Sequence, residues 1–529
     1  MDKRTIIVLV LTMAMLFIFQ TYFMPKQPQQ QPQTQTHPAP QGETQKPSEK
    51  KDIPDKTTSG TPPPVAAPQA TDKKPMKTVS VETPYLNVTL TDLGGGISSV
   101  KLRKYKATVK GPEEKEIIED VKPYVYNPVV FQNNAFDRTY FQPDKSRLTV
   151  KDAPASVTMT GTLDNGTKLK KTYTFHPDSY TVDINVEVQL SNTQGLYSDF
   201  AIISDKNESS YVFKGPFVFN GKGLKQIEKI EKTLDFNKDY QYAGFDDGFF
   251  AFIFIPTGNT KPSLSIGKTD KNIPYIRLAP GADKFSGTLY FGPKKSDILA
   301  SLNIKAEKVI DFGWFDIIAK PLVWLLDFFN RFTHNYGIDI ILLTLLIKII
   351  FHPLSIMSFK NMHKMQAVQP EIKKLQEKYK NDKAKLNQAL MEVYKSRGVN
   401  PMSGCLPMLP QIPVFFALYK ALSGAIELRH APFLWWINDL SAPEDLFSFT
   451  VMGYSIPIRI LPIIMGATQV IQQKMTPTSV DPMQQKMMMF MPIVFTFIFW
   501  GFPSGLVLYW LVYNVASIAQ QYYFNKKTR

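Results

Sequence analysis

The last third of the chain is crowded with apolar runs, at about 338–357, 408–426, 453–471, 487–501 and 505–524, more than a fold in water can bury. A bilayer's hydrocarbon core takes roughly 20 residues of apolar helix to cross. The runs approach that length, so each is expected to be a membrane span. A further apolar stretch, Ile6 to Met24, follows Lys3 and Arg4 at the N-terminus. It is longer than the usual core of a secretory signal, and no small-x-small cleavage site follows it. An uncleaved anchor over 1–25 is expected, with a cleaved signal as the alternative. Six spans place both termini on one side.

Charge sets the orientation. Behind the run at 338–357 lie Lys360, Lys364, Lys373, Lys374, Lys378, Lys380, Lys383, Lys385, Lys395 and Arg397 against four acids, and the tail NKKTR is basic too. Both belong in the cytoplasm by the positive-inside rule. The loop 427–452 is poor in Lys and Arg, and Trp435-Trp436 suit the opposite interface. The formal net charge of +15 is clustered around apolar runs, which suggests a membrane surface. No basic and aromatic motif of a nucleic-acid-binding fold is present. The single cysteine, Cys405, excludes an intramolecular disulfide.

Between anchor and spans, residues 26–77 are rich in Pro, Gln, Thr and Lys and are expected to be a disordered tether. From 78 to 310 the period changes to two. SVTMTGTL (156–163), KLKKTYTF (168–175) and YTVDINVEVQL (180–190) read as strands, the first two joined by an Asp164-Asn165-Gly166 turn. With YLNVTL (85–90), GFFAFIFIP (248–256) and GTLYFG (287–292), they predict a large antiparallel sandwich on the far side of the membrane. Its only histidine is His176, and no Ser/His/Asp spacing, metal cluster or phosphate loop can be assembled, Gly94-Gly95-Gly96 reading as a turn. A binding or scaffolding role fits better than catalysis, with no cofactor. Residues 311–333 are apolar but carry Asp316, Lys320, Asp327 and Arg331 on one helical face, as in an amphipathic helix lying in the interface. Over 359–399, Met365, Val368, Ile372, Leu375 and Tyr379 repeat at coiled-coil spacing, continued by Leu386, Leu390 and Val393. A cytoplasmic helical hairpin is expected, either a solvated structural element or a docking arm for a partner or anionic membrane.

Lys348 sits among ten large apolar residues between Ile340 and Phe351. A lysine at a span's centre costs about 2.5–3.5 kcal/mol, against roughly 0.3–0.6 gained from each aliphatic neighbour. Snorkelling would have to cover roughly 13 Å, about nine residues of rise and beyond the reach of its stem. Pairing with an intramembrane acid lacks the acid. No Asp or Glu lies between Glu392 and Glu427, between Asp445 and Asp481, or after Asp481; Asp339 is near the far end of its own span. Water within the membrane remains. Thr344, Lys348, His352 and Ser355 form one polar stripe, and Tyr509, Tyr513, Ser517 and Gln520 another, with Asn514 adjacent. Two such helices facing one another would line a hydrated groove that receives a polar or acidic peptide part-way across while its apolar neighbour slides into lipid. A transporter or channel with a periplasmic ligand-binding domain is the alternative, although intramembrane carboxylates and an inverted repeat are missing.

NPMSGCLPMLPQIPVFFALYKAL (400–422), DPMQQKMMMFMPIVF (481–495) and FPSGLVLYWLVYN (502–514) resemble the YidC-type membrane protein insertases over the whole of 338–524. The tether and β-rich domain resemble the Gram-negative form. The resemblance implies a polytopic α-helical inner-membrane protein with five core spans over 334–529 around a hydrophilic groove, and a periplasmic all-β supersandwich. Lys348 falls at the groove arginine of well-known members, and Thr344, Tyr509 and Trp510 match positions associated with substrate contact. Lysine keeps the charge without the bidentate fork and can lose its proton when desolvated. The implied partners are nascent membrane proteins, the Sec translocon, the lipid bilayer, and targeting factors or the ribosome at the hairpin, although the basic tail is short. The methionines at 483, 487, 488, 489 and 491 read either as an adaptable client surface or as ordinary filling. The β domain also resembles mutarotase-like sandwiches, leaving a sugar-processing activity as a third reading.

Overall fold

The structure, a computed structural model, describes residues 77–528 apart from 119–128, 133–139, 163–165, 190–195, 201–212, 259–260, 269–273, 280–283, 400–407, 452–453 and 476–481. The expected anchor, all but the last residue of the tether, Cys405, and Asp164-Asn165 of the expected turn lie outside these residues.

The period-two segments form three sheets. The largest runs in the order 224–226, 214–219, 242–247, 250–257, 284–293, 181–189, 168–175, 155–162 and 142–143. A second holds 114–118, 96–106, 86–91, 78–82 and 147–149; a third holds 234–237, 263–268, 274–279, 196–200 and 129–132. All pairings are antiparallel except that of Ser80–Glu82 with Arg147–Thr149. Alternation decides which face is inside: Val182, Ile184, Val186 and Val188 are buried, while Asp183, Asn185 and Glu187 are not. Val79 and Val88 of the second sheet and Ile266 and Ile276 of the third share one buried cluster with them. The hairpin across 163–167 forms, with Thr162 opposite Lys168 and Gly166 at φ +83°.

Gly94-Gly95-Gly96 is a turn. Gly94 and Gly95 both take positive φ, and a Cβ at Gly95 would come within 2.7 Å of the Phe141 ring. Two buried side chains from the strand 168–175 hold the turn: Lys171 donates to the Gly94 carbonyl at 2.7 Å, and Tyr173 to Gly95 at 2.7 Å. His176 pairs with Asp183 at 2.8 Å on the outer side of the large sheet.

The rest of the chain is helical: α1 (Ser296–Ala300), α2 (Asp316–Thr333), α3 (Tyr336–Ile350), α4 (His352–Lys378), α5 (Lys383–Ser396), α6 (Met408–Gly424), α7 (Ile460–Met475), α8 (Pro482–Phe499) and α9 (Ser504–Thr528). Among the described residues no single helix is long and apolar enough to cross a membrane; α3 and α4 pass that test together, bent by 60°. The run at 338–357 is therefore not one straight helix. Pro353 in the first turn of α4 has no N–H to give the Ile349 carbonyl, so the helical ladder is interrupted there and α4 starts afresh after Phe351. The run at 453–471 also differs from its expectation. Tyr454–Ile458 is a strand paired with Phe447–Val451, and helix begins only at Ile460. The β-branched and aromatic alternation of FSFTV and YSIPI outweighs their apolar total.

Helix α2 follows its pattern with an addition. Ala319, Leu322 and Leu326 pack inward, and Asp316 pairs with Lys320. A second apolar face, with Ile317, Trp324, Phe328 and Phe332, is left exposed. The α4–α5 hairpin closes over Met365, Val368 and Ile372, with Leu390 and Val393 packed on them, and Arg397 reaches Glu371 at 3.1 Å. Met489 of α8 is exposed; the side chains of Met483, Met487 and Met488 lie outside the described residues.

Candidate functional site

Helices α3 and α9 pack against one another and bring the two polar stripes together. The Lys348 ammonium lies 3.9 Å from the centre of the Tyr513 ring, where the negative face of the π-system attracts a cation. Among the described residues no carboxylate pairs with it. The only acid on α3, Asp339, is fully buried near the other end and takes hydrogen bonds from Asn330, at 2.8 Å, and Thr333. A cleft of about 550 Å³ opens beside the ammonium, lined by Leu345, Lys348, Ile349, His352, Pro353, Ala516 and Gln520. Its walls are aliphatic and its polar groups come from three side chains.

The stripe residues divide between cleft and interior. Lys348 and His352 line the cleft, and His352 Nδ1 meets Gln520 Nε2 at 2.6 Å across it. Thr344 is fully buried and returns its hydroxyl to the Ile340 carbonyl at 2.6 Å; Ser355 does the same to Phe351, at 3.1 Å, and Ser517 to Tyr513, at 2.7 Å. A helical serine or threonine satisfies its own hydroxyl in this way without needing water. Tyr509 is fully buried and accepts from the Gln411 amide. Trp510 packs among Phe415, Phe495 and Phe499, with ring centres 5.1, 6.1 and 5.2 Å away. Asn514 reaches Thr468 of α7 at 3.5 Å. Stripe reasoning did not single out Gln411, although a lone glutamine in LPQIPVFFALY is the kind of residue that signals an interhelical bond.

Beyond the end of α6, the helical part meets the β domain. Ile426 joins the apolar core of the sheets. Arg429 donates to the carbonyls of Lys106 at 2.9 Å and Ala107 at 3.1 Å, and its guanidinium lies 5.2 Å from the Phe250 ring. Glu427 stands between these two anchors, and burial pushes its carboxyl up to about 7. Asp327 and Asp297 push the same way, while its own backbone N–H and Lys295 oppose them. Burial and then Glu427 raise the nearby Tyr105 hydroxyl to about 12.

The family described as 60Kd inner membrane protein matches residues 328–529, and the one described as YidC periplasmic domain matches 78–325. The membrane protein insertase YidC of Syntrophus aciditrophicus (strain SB) is 38% identical over 559 residues, covering 100% of both chains. That of Geobacter metallireducens (strain ATCC 53774 / DSM 7210 / GS-15) is 37% identical and covers 99% of this chain and 98% of its own. A crystal structure of active YidC insertase with the first transmembrane domain resolved is 19% identical with a TM-score of 0.41, over 87% of this chain and 94% of that one. With two family matches that together run from 78 to 529, and relatives that align from end to end, the chain belongs to the YidC family of membrane protein insertases.

Proposed function

We propose that this insertase works by receiving a polar or acidic segment of a nascent membrane protein in the Lys348 cleft, while the client's apolar helix passes sideways into lipid. The cleft supports this reading. It sets one cation, held by an aromatic face instead of a counter-ion, between aliphatic walls. A client carboxylate entering there meets a charge with no acid among the described residues lining the cleft, in surroundings where Coulomb attraction is stronger than in water. The family is one of insertases, not enzymes, and the transporter reading falls away with the family assignment.

The topology that suits this work has the N-terminal anchor, α3 with the start of α4, and α6 to α9 crossing the inner membrane. The β domain over 78–310 is then periplasmic, α2 lies in the outer interface, and both termini are cytoplasmic. The exposed Trp324, Phe328 and Phe332 support the place of α2, since aromatic side chains favour the headgroup level. The basic α4–α5 arm is then free in the cytoplasm for targeting factors, the ribosome or Sec components.

A photo-crosslinking side chain at Ala516 or Ile349, both on the cleft wall, is expected to capture nascent one- and two-span proteins during insertion. Failure to form any client adduct from either position would sink this reading. Tyr513→Leu, which removes the ring beneath the ammonium, should lower insertion of acidic clients by roughly tenfold, since a partly desolvated cation–π contact contributes about 1–2 kcal/mol. Tyr513→Phe keeps the ring and should remain close to the parent in the same proteoliposome assay. Equal losses in the two variants would assign the effect to the hydroxyl instead.

A further inference from the structure

His352 and Gln520 occupy a particular place. His352 opens α4 immediately after the 60° bend, and Gln520 lies on α9, so their bond ties the two walls of the cleft together. Both are lining residues. The carboxamide is held on one side only: Nε2 meets the imidazole, while the buried Oε1 has no hydrogen-bond partner. Thr344, Ser355 and Ser517 are instead satisfied by their own helices, and the neighbouring Gln521 donates to the Met475 carbonyl at 2.7 Å. Beside the Lys348–Tyr513 cation–π contact, the His352–Gln520 bond is thus the hydrogen bond in this set that spans the cleft and would have to part for the walls to separate.

We propose that the His352–Gln520 bond is a clasp across the cleft, broken when a client's polar segment enters. The proposal rests on the cleft being the client site. A single hydrogen bond has a small net worth, because the freed groups find other partners. The clasp therefore sets the resting width of the cleft without locking it. Once parted, the Gln520 amide presents a donor and an acceptor to the client's backbone in the cleft that Lys348 also lines. The chemical class of the occupant is thereby an extended peptide with unpaired N–H and C=O groups and an acidic side chain.

The test uses the full-length protein with Cys405→Ser, His352→Cys and Gln520→Cys, and a photo-crosslinker at Ala516, reconstituted in liposomes. The two thiols are bridged by a short bis-methanethiosulfonate linker, which dithiothreitol removes. Before bridging, the protein is expected to capture an acidic one-span client. Bridging should reduce capture and insertion at least fivefold, and reduction should restore both to the level before bridging. Undiminished capture by the bridged protein overturns the clasp and leaves the client site standing, as does failure of the thiols to bridge. Absence of capture in either state overturns the client site itself, and the clasp with it. In a second arm, His352→Leu in the otherwise unaltered chain, which removes the bond but keeps the Gln520 amide, should raise capture at Ala516 roughly two- to tenfold, the population shift expected for loss of one net hydrogen bond; unchanged or reduced capture counts against the clasp.

Discussion

Lys348→Glu is expected to cut insertion of a one-span client with acidic residues in its translocated tail by roughly thirtyfold or more, with Lys348→Arg staying near the parent. Two unit charges 4 Å apart interact by about 4 kcal/mol at the effective dielectric of a partly hydrated site. Reversing the sign turns that attraction into repulsion, and about 1.4 kcal/mol is already a tenfold change. The Tyr513 ring beneath the ammonium also loses its partner in the glutamate variant and faces an anion. Arginine keeps the charge and stacks on aromatic faces, so the same ring should hold it. The measurement is proteoliposome insertion of paired clients that differ only in tail charge. A glutamate variant that loses neutral-tailed and acidic-tailed clients equally would show general damage to the cleft and remove the electrostatic role.

The second large effect concerns the seat of the β domain. Glu427 lies between Ile426, within the β core, and Arg429, bonded to Lys106 and Ala107. Burial, with Asp327 and Asp297, raises its carboxyl from 4.5 to about 7. The titratable groups that act on it or feel it come from several elements: Asp327 from α2, Asp297 from α1, Lys295 just before α1, and the Tyr336 hydroxyl from α3. Since the folded value is raised, its contribution to the docked state is fully present below pH about 4.5 and is lost as pH rises through about 7. Each pKa unit is worth about 1.4 kcal/mol, so the swing is on the order of 3 kcal/mol. Amide exchange at Arg103–Ala107, corrected for its intrinsic pH dependence, should therefore be slower at pH 5.5 than at pH 8. Glu427→Gln should flatten the profile at the protected level. A pH response that survives in Glu427→Gln would move the assignment to another group.

Where pattern and structure part, the physical reason is local. The β domain was legible because half-buried strands sort side chains by period two: Val182 to Val188 went inward as the alternation required. The α4–α5 arm was legible for the equivalent reason at helical period, and Met365, Val368 and Ile372 are its core. Hydropathy sums were blind to conformation in two places. They joined α3 to α4 across the break set by Pro353, and counted Tyr454–Ile458 as the start of a span although its alternation makes a strand. At the cleft, the stripe grouped Lys348 with His352, and both line one opening. It could not distinguish a hydroxyl that needs water from one that bonds its own helix, as in Thr344 and Ser355. Nor could a stripe reveal that the cation's nearest partner is the face of Tyr513, because side chains on different helices meet only after packing.

The break at Phe351 has a mechanical consequence. Helix α4 runs 27 residues, about 40 Å, from His352 beside the cleft, with Pro370 along it and Phe359 and His363 seated on Phe524 of α9. A turn of about five degrees at the break sweeps the far tip through about 3.5 Å but displaces His352 by only a few tenths of an ångström. Loads applied to the basic arm thus reach the clasp geared down roughly tenfold in distance and multiplied correspondingly in force. Run in reverse, a client wedging the cleft open by half an ångström or so would throw the tip of the arm several ångströms, a signal of occupancy large enough for anything seated there to feel.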